Sequence, residues 1–217
     1  MYYHNNTEVT LMKQYKLDVI NLHNRPYMHG TSILKGVISV IENNFTNVSD
    51  FEIRFKQQLY SQPVVCITDE LVMGAVFGTF KVSDNTYHFH LIDTSTSLEY
   101  SSDTDIDLLY DENIIGNRMY ETDIEYCLDI TPADDLHLCY NVVSKLSNIF
   151  LFEKVLELSP KKHTWLVGYQ LPNLDFLSKK TGRLGISKDF IMVAHNCMKR
   201  QITFDNVIAG HRLCVYA

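Results

Sequence analysis

Residues 24–44 read NRPYMHGTSILKGVISVIENN, and the larger part of that stretch decides the architecture. Ile33, Val37, Val40 and Ile41 recur at the spacing of one helix face, while Lys35, Ser39 and Glu42 fall elsewhere. The pattern predicts an amphipathic helix over 31–45, ended by Asn43-Asn44 and the polar TNVSD. Thr31 or Ser32 can cap it, because a side-chain oxygen satisfies an open amide of the first turn. Gly36 in the middle costs about 1 kcal/mol relative to alanine. It points to a helix surface pressed closely by another element. Pro26, His29 and Gly30 stand just ahead of the helix, and a histidine beside a glycine is more than a cap requires.

Before this stretch, 9–22 is mixed and apolar without a clear period. After it, FEIRFKQQL (51–59) alternates Phe51, Ile53 and Phe55 against Glu52, Arg54 and Lys56, the mark of a half-buried strand. PVVCITDELVMGAVFGTFKV (63–82) is β-branched, with Gly74 and Gly78 placed for bulges or bends. TYHFHLIDT (86–94) reads as a further antiparallel strand after the turn SDN. The first half is thus a long helix followed by an antiparallel meander.

The stretch 93–113 is acidic and rich in Ser and Thr, which suits an exposed connector. Beyond it the scheme recurs. TDIEYCLDI (122–130) alternates like a strand, and Pro132 with Asp134-Asp135 opens a second helix. Leu136, Cys139, Tyr140, Val143, Leu146, Ile149 and Phe150 follow at helical spacing. HTWLVGYQL (163–171) reads as a strand, and 188–217 as two more. The expected organisation is a first half over 1–95, a connector over 96–118 and a second half over 119–217. Residues 53–67 also align without a gap on 202–216 at an offset of 149, both reading strand, turn, strand.

The totals exclude several function classes. The 217 residues carry a formal net charge of −7, and the longest basic cluster is Lys161-Lys162-His163, so nucleic acid is not expected as a partner. No apolar run approaches the roughly 20 residues of a membrane span. The first residues, MYYHNNTEV, show no secretory signal. The five cysteines (Cys66, Cys127, Cys139, Cys197, Cys214) are unclustered, as expected of reduced, buried thiols in a cytoplasmic protein without a zinc site.

A long helix wrapped by an antiparallel sheet, occurring twice, resembles the α+β double hotdog architecture, whose members mostly act on acyl thioesters of coenzyme A or acyl carrier protein. Within it, Gly30-Thr31-Ser32 resembles the Gly-x-Ser element at the start of the first central helix in leinamycin-type acyltransferase/decarboxylases. Residues 120–150 and the last strands are similar to that family as well. The MaoC-like (R)-specific enoyl-CoA hydratases offer a second resemblance. PYMHG (26–30) matches their helix-start element, and DVINLH keeps Asp18 and His23 five apart, though the intervening loop is far shorter here.

The resemblance implies that the loop before the first helix and the helix start line a thioester site. Backbone amides at a helix N-terminus sit at the positive end of the helix dipole and can hold a developing oxyanion or a carboxylate. Gly30, Thr31 and Ser32 are the expected cradle, with Gly30 admitting close approach. His29 is the candidate acid or base, Tyr27 a candidate nucleophile, and Ser32 a cap that also donates to a ligand. Asp18 and His23 are candidate substrate-binding residues. His88 and His90 share one strand face, expected to point to solvent, with no third metal ligand evident. His137 and Tyr140 are candidates for a matching site in the second half. The expected partner is an acyl-CoA or an acyl carrier protein, docking near Lys161, Lys162 and Arg183, with coenzyme A or phosphopantetheine entering only as the substrate's carrier. A polyketide or fatty-acid-like pathway and a homodimer complete the expectation. A non-catalytic binding or structural subunit is the alternative.

Overall fold

The computed structural model describes residues 13–17, 26–98, 112–136, 139–140, 142–144, 146–148 and 164–216. The first half comprises β1 (Lys13–Lys16), α1 (Gly30–Asn44), β2 (Val48–Phe55), β3 (Val64–Thr68), β4 (Val76–Val82) and β5 (Asn85–Ile92). The end of the expected connector is not extended chain but a short helix, α2 (Glu112–Arg118), and the second half comprises β6 (Tyr120–Glu121), β7 (Glu125–Ile130), β8 (Thr164–Asn173), β9 (Gly182–Ala194), β10 (Cys197–Phe204) and β11 (Val207–Tyr216). Among the described residues the strands join one 11-stranded sheet in the order β1-β3-β5-β4-β2-β8-β11-β10-β9-β7-β6. The halves meet where β2 pairs antiparallel with β8, through contacts such as Phe51 with Leu171 and Ile53 with Tyr169.

The helix α1 forms where its apolar spacing places it. Ile33, Val37 and Ile41 are buried, joined by Leu34 and Ile38 on an adjoining face, while Lys35, Ser39 and Glu42 are exposed. Burial on both flanks suits a helix that a sheet wraps rather than merely touches. Each such side chain contributes about 1.5–3 kcal/mol by leaving water. The helix ends at Phe45, whose amide bonds the Ile41 carbonyl at 2.8 Å and whose ring packs edge-on against Phe80 at 5.0 Å. Phe51 and Phe89 stack beneath it at 5.8 Å.

Several expectations need correction. The run 63–82 is two strands, because the Thr68 hydroxyl accepts the Glu70 amide at 3.1 Å and turns the chain out of the sheet before β4. The first half is not a simple meander, since the β4–β5 hairpin lies between β2 and β3. The region 188–217 holds the end of β9 as well as β10 and β11, the last two joined through Asp205 and Asn206, both at positive φ (51° and 65°) as a tight hairpin turn requires. The alignment of 53–67 on 202–216 pairs β2 with β10 and β3 with β11. Yet β10 and β11 are hairpin partners, whereas β2 and β3 are separated by two strands. The match reflects a shared period of two, not equivalent positions.

Gly78 is a packing position rather than a bend. A Cβ there would run into the Glu52 carbonyl oxygen and stand 2.5 Å from the Phe89 ring. Helical backbone is described at 136, 139–140, 142–144 and 146–148, so of the two expected central helices only α1 is met in full. The rest of the second helix, most of the acidic connector, and Asp18, His23, His137, Lys161 and Lys162 lie outside the described residues.

Candidate functional site

The chain ahead of α1 is held along the segment after β2. The Met28 amide bonds the Leu59 carbonyl at 2.8 Å with its side chain buried, and the Tyr27 ring meets Tyr60 edge-on at 6.5 Å. His29 then occupies the N-cap position with extended backbone (φ −69°, ψ 136°). Its carbonyl accepts the first helical bond, from the Ile33 amide at 3.0 Å, and its side chain makes no cap hydrogen bond. The amides of Gly30, Thr31 and Ser32 precede that bond and so have no acceptor within the helix.

Thr31 and Ser32 are therefore not caps, because both lie inside the first turn. Thr31 is 5% exposed and its hydroxyl has no hydrogen-bond partner. Gly30 has a different reason for being glycine than the one expected. The place of its missing Cβ is filled by Leu166 of β8, whose Cδ2 would be 2.8 Å away, with Phe55 at 3.7 Å. The glycine lets the second half close on the helix start.

That half also supplies a carboxylate. Asp135 accepts the first described bond of the second helix, from the Cys139 amide at 2.9 Å, and its side chain accepts a hydrogen bond from Lys35 of α1 at 2.7 Å. Sequence reading missed this pair, which ties the second turn of α1 to the residue just ahead of the second helix, 100 positions apart. Lys35 and Asp135 are 56% and 28% exposed, so the pair contributes about 1 kcal/mol at most. Its role is positional.

Other candidates fall elsewhere. His90 is buried rather than facing solvent, because Gly74 and the segment after β3 lie against it; burial lowers its pKa. His88 is half-buried on the same face, and the Nδ1 atoms of both lack partners. Tyr140 is 2% exposed, its ring 5.5 Å from Tyr169, and burial pushes its phenol well above the usual value. It is an interior residue, not part of an open second site. Arg183 lies 3.7 Å from buried Glu125, which also accepts the Thr203 hydroxyl at 2.7 Å. All five cysteines are free; four are buried, and burial pushes the Cys139 thiol up to about 12. Among the described residues no cluster of three His, Cys, Asp or Glu side chains could hold a metal, and no helix is long and apolar enough to cross a membrane. A depression of about 430 Å³ lies at the other end of α1, lined by Phe45, Thr68, Asp69 and Tyr87, away from the helix start.

No family model matches the sequence, and no curated protein matches it. Solved structures do. The dehydratase domain of PpsC from Mycobacterium tuberculosis, in complex with C12:1-CoA, is 12% identical with a TM-score of 0.50, covering 98% of this chain and 96% of that one. An acyl-ACP thioesterase from Bacteroides thetaiotaomicron is 10% identical with a TM-score of 0.45, covering 96% and 98%. The dehydratase domain from the CurJ module of curacin polyketide synthase is 10% identical with a TM-score of 0.47, covering 100% and 95%. The PpsC domain is a hotdog-fold protein, and at 12% identity the likeness to it is one of fold. The leinamycin-type and MaoC-like readings are narrower than that likeness.

Proposed function

We propose that the chain is a biosynthetic enzyme acting on an acyl thioester of coenzyme A or of an acyl carrier protein, at the start of α1. The observation that supports this is the helix start itself. Three amides lack intrahelical acceptors, the N-cap residue is a histidine that does not cap, and the buried Thr31 hydroxyl beside them is unpartnered. The fold around it is shared with a protein solved with a coenzyme A ester. In this reading the halves 1–95 and 119–217, joined by 96–118, are two hotdog units. Asp18 and His23 line the substrate, and Lys161, Lys162 and Arg183 receive a carrier protein.

The chemistry is decarboxylation or acyl transfer. Loss of carbon dioxide from a malonyl-type thioester leaves its electron pair on the α-carbon as an enolate. The amides of Gly30, Thr31 and Ser32 hold the enolate oxygen, and His29 delivers a proton to the α-carbon. In transfer, the Tyr27 oxygen attacks the carbonyl as His29 takes the phenol proton, and the departing thiolate receives that proton. Ser32, half-buried in the same turn, donates a hydrogen bond to the acyl group.

Hydration of an enoyl thioester is the second reading, favoured by the carboxylate that Lys35 holds near α1 from the other half. A base takes a proton from water as its oxygen bonds the β-carbon, and the α-carbon gains a proton. Intact-mass spectrometry and product analysis with malonyl-, methylmalonyl- and crotonyl-CoA separate the two. An acyl adduct or released carbon dioxide, lost in His29→Ala or Tyr27→Phe, supports transfer and decarboxylation. Hydrated crotonyl-CoA, lost in His29→Ala and Asp135→Asn, supports the second. Wild-type protein that binds none of these thioesters, nor an acyl carrier protein bearing them, would sink both.

A further inference from the structure

The second half of the sheet buries two arginines at strand positions that call for apolar side chains. Met198, Arg200, Ile202 and Phe204 alternate on the inward face of β10, and Arg200 is 1% exposed. Arg212 of β11 is 6% exposed and lies directly opposite Arg200 in the strand register. A guanidinium keeps its proton inside a protein, so two positive charges face each other within the core, where like charges across a strand pair repel. Among the described residues no ion pair reaches either one.

The two differ in what serves them. Arg200 donates to neutral acceptors: the Ser187 carbonyl from Nε at 2.9 Å and from Nη2, and the Ser147 hydroxyl and Asn148 Oδ1 from Nη1, each at 2.9 Å. Its guanidinium also lies over the Tyr126 ring at 5.9 Å. In Arg212, Nε and Nη1 are buried with no hydrogen-bond partner. The hydroxyls of Tyr140, Ser144 and Tyr169 are buried beside it and face one another, Tyr169 interacting with Arg212 and Tyr140, and Tyr140 with Ser144, without any negative charge among them. Tyr169 is the residue of β8 opposite Arg212, and its ring lies 5.5 Å from that of Tyr140. Tyr140 and Ser144 are one turn apart on the second helix, and the next turn brings Ser147 and Asn148 to Arg200.

We infer that Arg212, Tyr140, Tyr169 and Ser144, backed by Arg200, form an internal binding site for a carboxylate group. A carboxylate accepts only, at about four lone-pair positions, and here it meets the N–H groups of Arg212 and three hydroxyls. It also supplies the negative charge that a neutral ligand lacks. Neutral hydroxyls do not offset two buried guanidinium charges, and burying charge without a counter-charge is expensive, a cost that a bound anion would recover. The carboxylate belongs to a free small acid or to the far end of an acyl group. For the second source the start of α1 is close by: Tyr169 meets Phe55 edge-on at 6.5 Å, and Phe55 adjoins Gly30. That source, unlike the first, rests on the function proposed above.

The test uses the full chain. Thermal unfolding is followed in formate, acetate and succinate against sodium isethionate at equal ionic strength. Binding of glutaryl-CoA is compared with valeryl-CoA by calorimetry. A free-acid site gives a saturable rise in midpoint that Arg212→Gln abolishes. Tyr169→Phe, which keeps the ring and the fold, weakens it about tenfold. A preference for glutaryl- over valeryl-CoA, lost in the same variants, assigns the carboxylate to the acyl group. A carboxylate response without any coenzyme A ester binding keeps the site and counts against the thioester function. No response to any carboxylate, free or acyl-borne, in the wild type overturns the proposal, as does an equal response to isethionate.

Discussion

His29 holds the N-cap position of α1, where Ser, Thr, Asp or Asn would bond an open amide, and it forms no such bond. His29→Ser is expected to raise stability by about 0.5–1 kcal/mol while removing thioester turnover. Urea unfolding should show a higher midpoint at unchanged slope. A variant that is less stable and fully active would mean that the histidine is kept for packing. The oddity of His29 was legible in the sequence because capping preference is local. The reason for Gly30 was not, since its partner Leu166 comes from a strand far along the chain. Arg200 could have been found: Met198, Arg200, Ile202 and Phe204 place a charge on the apolar parity of a strand. Nothing local tells Arg212 from an outward arginine, because its neighbours on that parity, Gly210 and Cys214, define no face by themselves.

At the scale of elements, local chemistry explains the start of the second helix. Arg118 of α2 grips Asp134 with two bonds, 2.7 and 2.8 Å, while the Thr131 amide and hydroxyl bond the same carboxylate at 2.7 and 2.8 Å. The Arg118 guanidinium foremost, with the Thr131 bonds, holds the Asp134 carboxyl far below the usual carboxylate range, against the opposing effect of burial. A carboxylate with a depressed folded-state pKa stabilises fully above its unfolded value of about 3.9 and loses that contribution as pH falls below it. Asp134→Asn is therefore expected to cost about 2 kcal/mol at neutral pH. The gap from wild type should narrow steadily below about pH 4. Urea midpoints of both proteins at pH 7 and pH 3 check this, and a gap independent of pH would rule it out. The aspartates were legible as a helix start, but Arg118, the last residue of the expected connector, carried no local sign of its partner 16 positions on. The strands were legible in the same measure. Alternation found β2 and β7, and strand-like runs found β5 and β8, but not the order in which the sheet uses them, because register is set by long-range pairing.

For the whole molecule, the decisive feature is that the sheet does not stop between the halves. β2 and β8 pair from Ser49–Asn173 to Arg54–Gly168, and Gly168 lets them approach so closely that a Cβ on it would stand 2.5 Å from the Ile53 carbonyl oxygen. Phe51, Ile53, Tyr169 and Leu171 are all buried along this seam. Separating the halves would expose these side chains and leave two long edges unpaired, a state prone to association. The two halves therefore share one sheet, and the seam is expected to couple their unfolding. Calorimetry of the 217-residue chain should show a single transition, with an enthalpy of about 150 kcal/mol at the midpoint. The van't Hoff value should match it. A van't Hoff enthalpy near half of the calorimetric one would mean that each half melts alone. Introducing Gly168→Val sharpens the question, because the added bulk meets backbone rather than a movable side chain. It should lower the midpoint while keeping one transition if the seam is shared core, and should split the transition if the seam only fastens two finished domains.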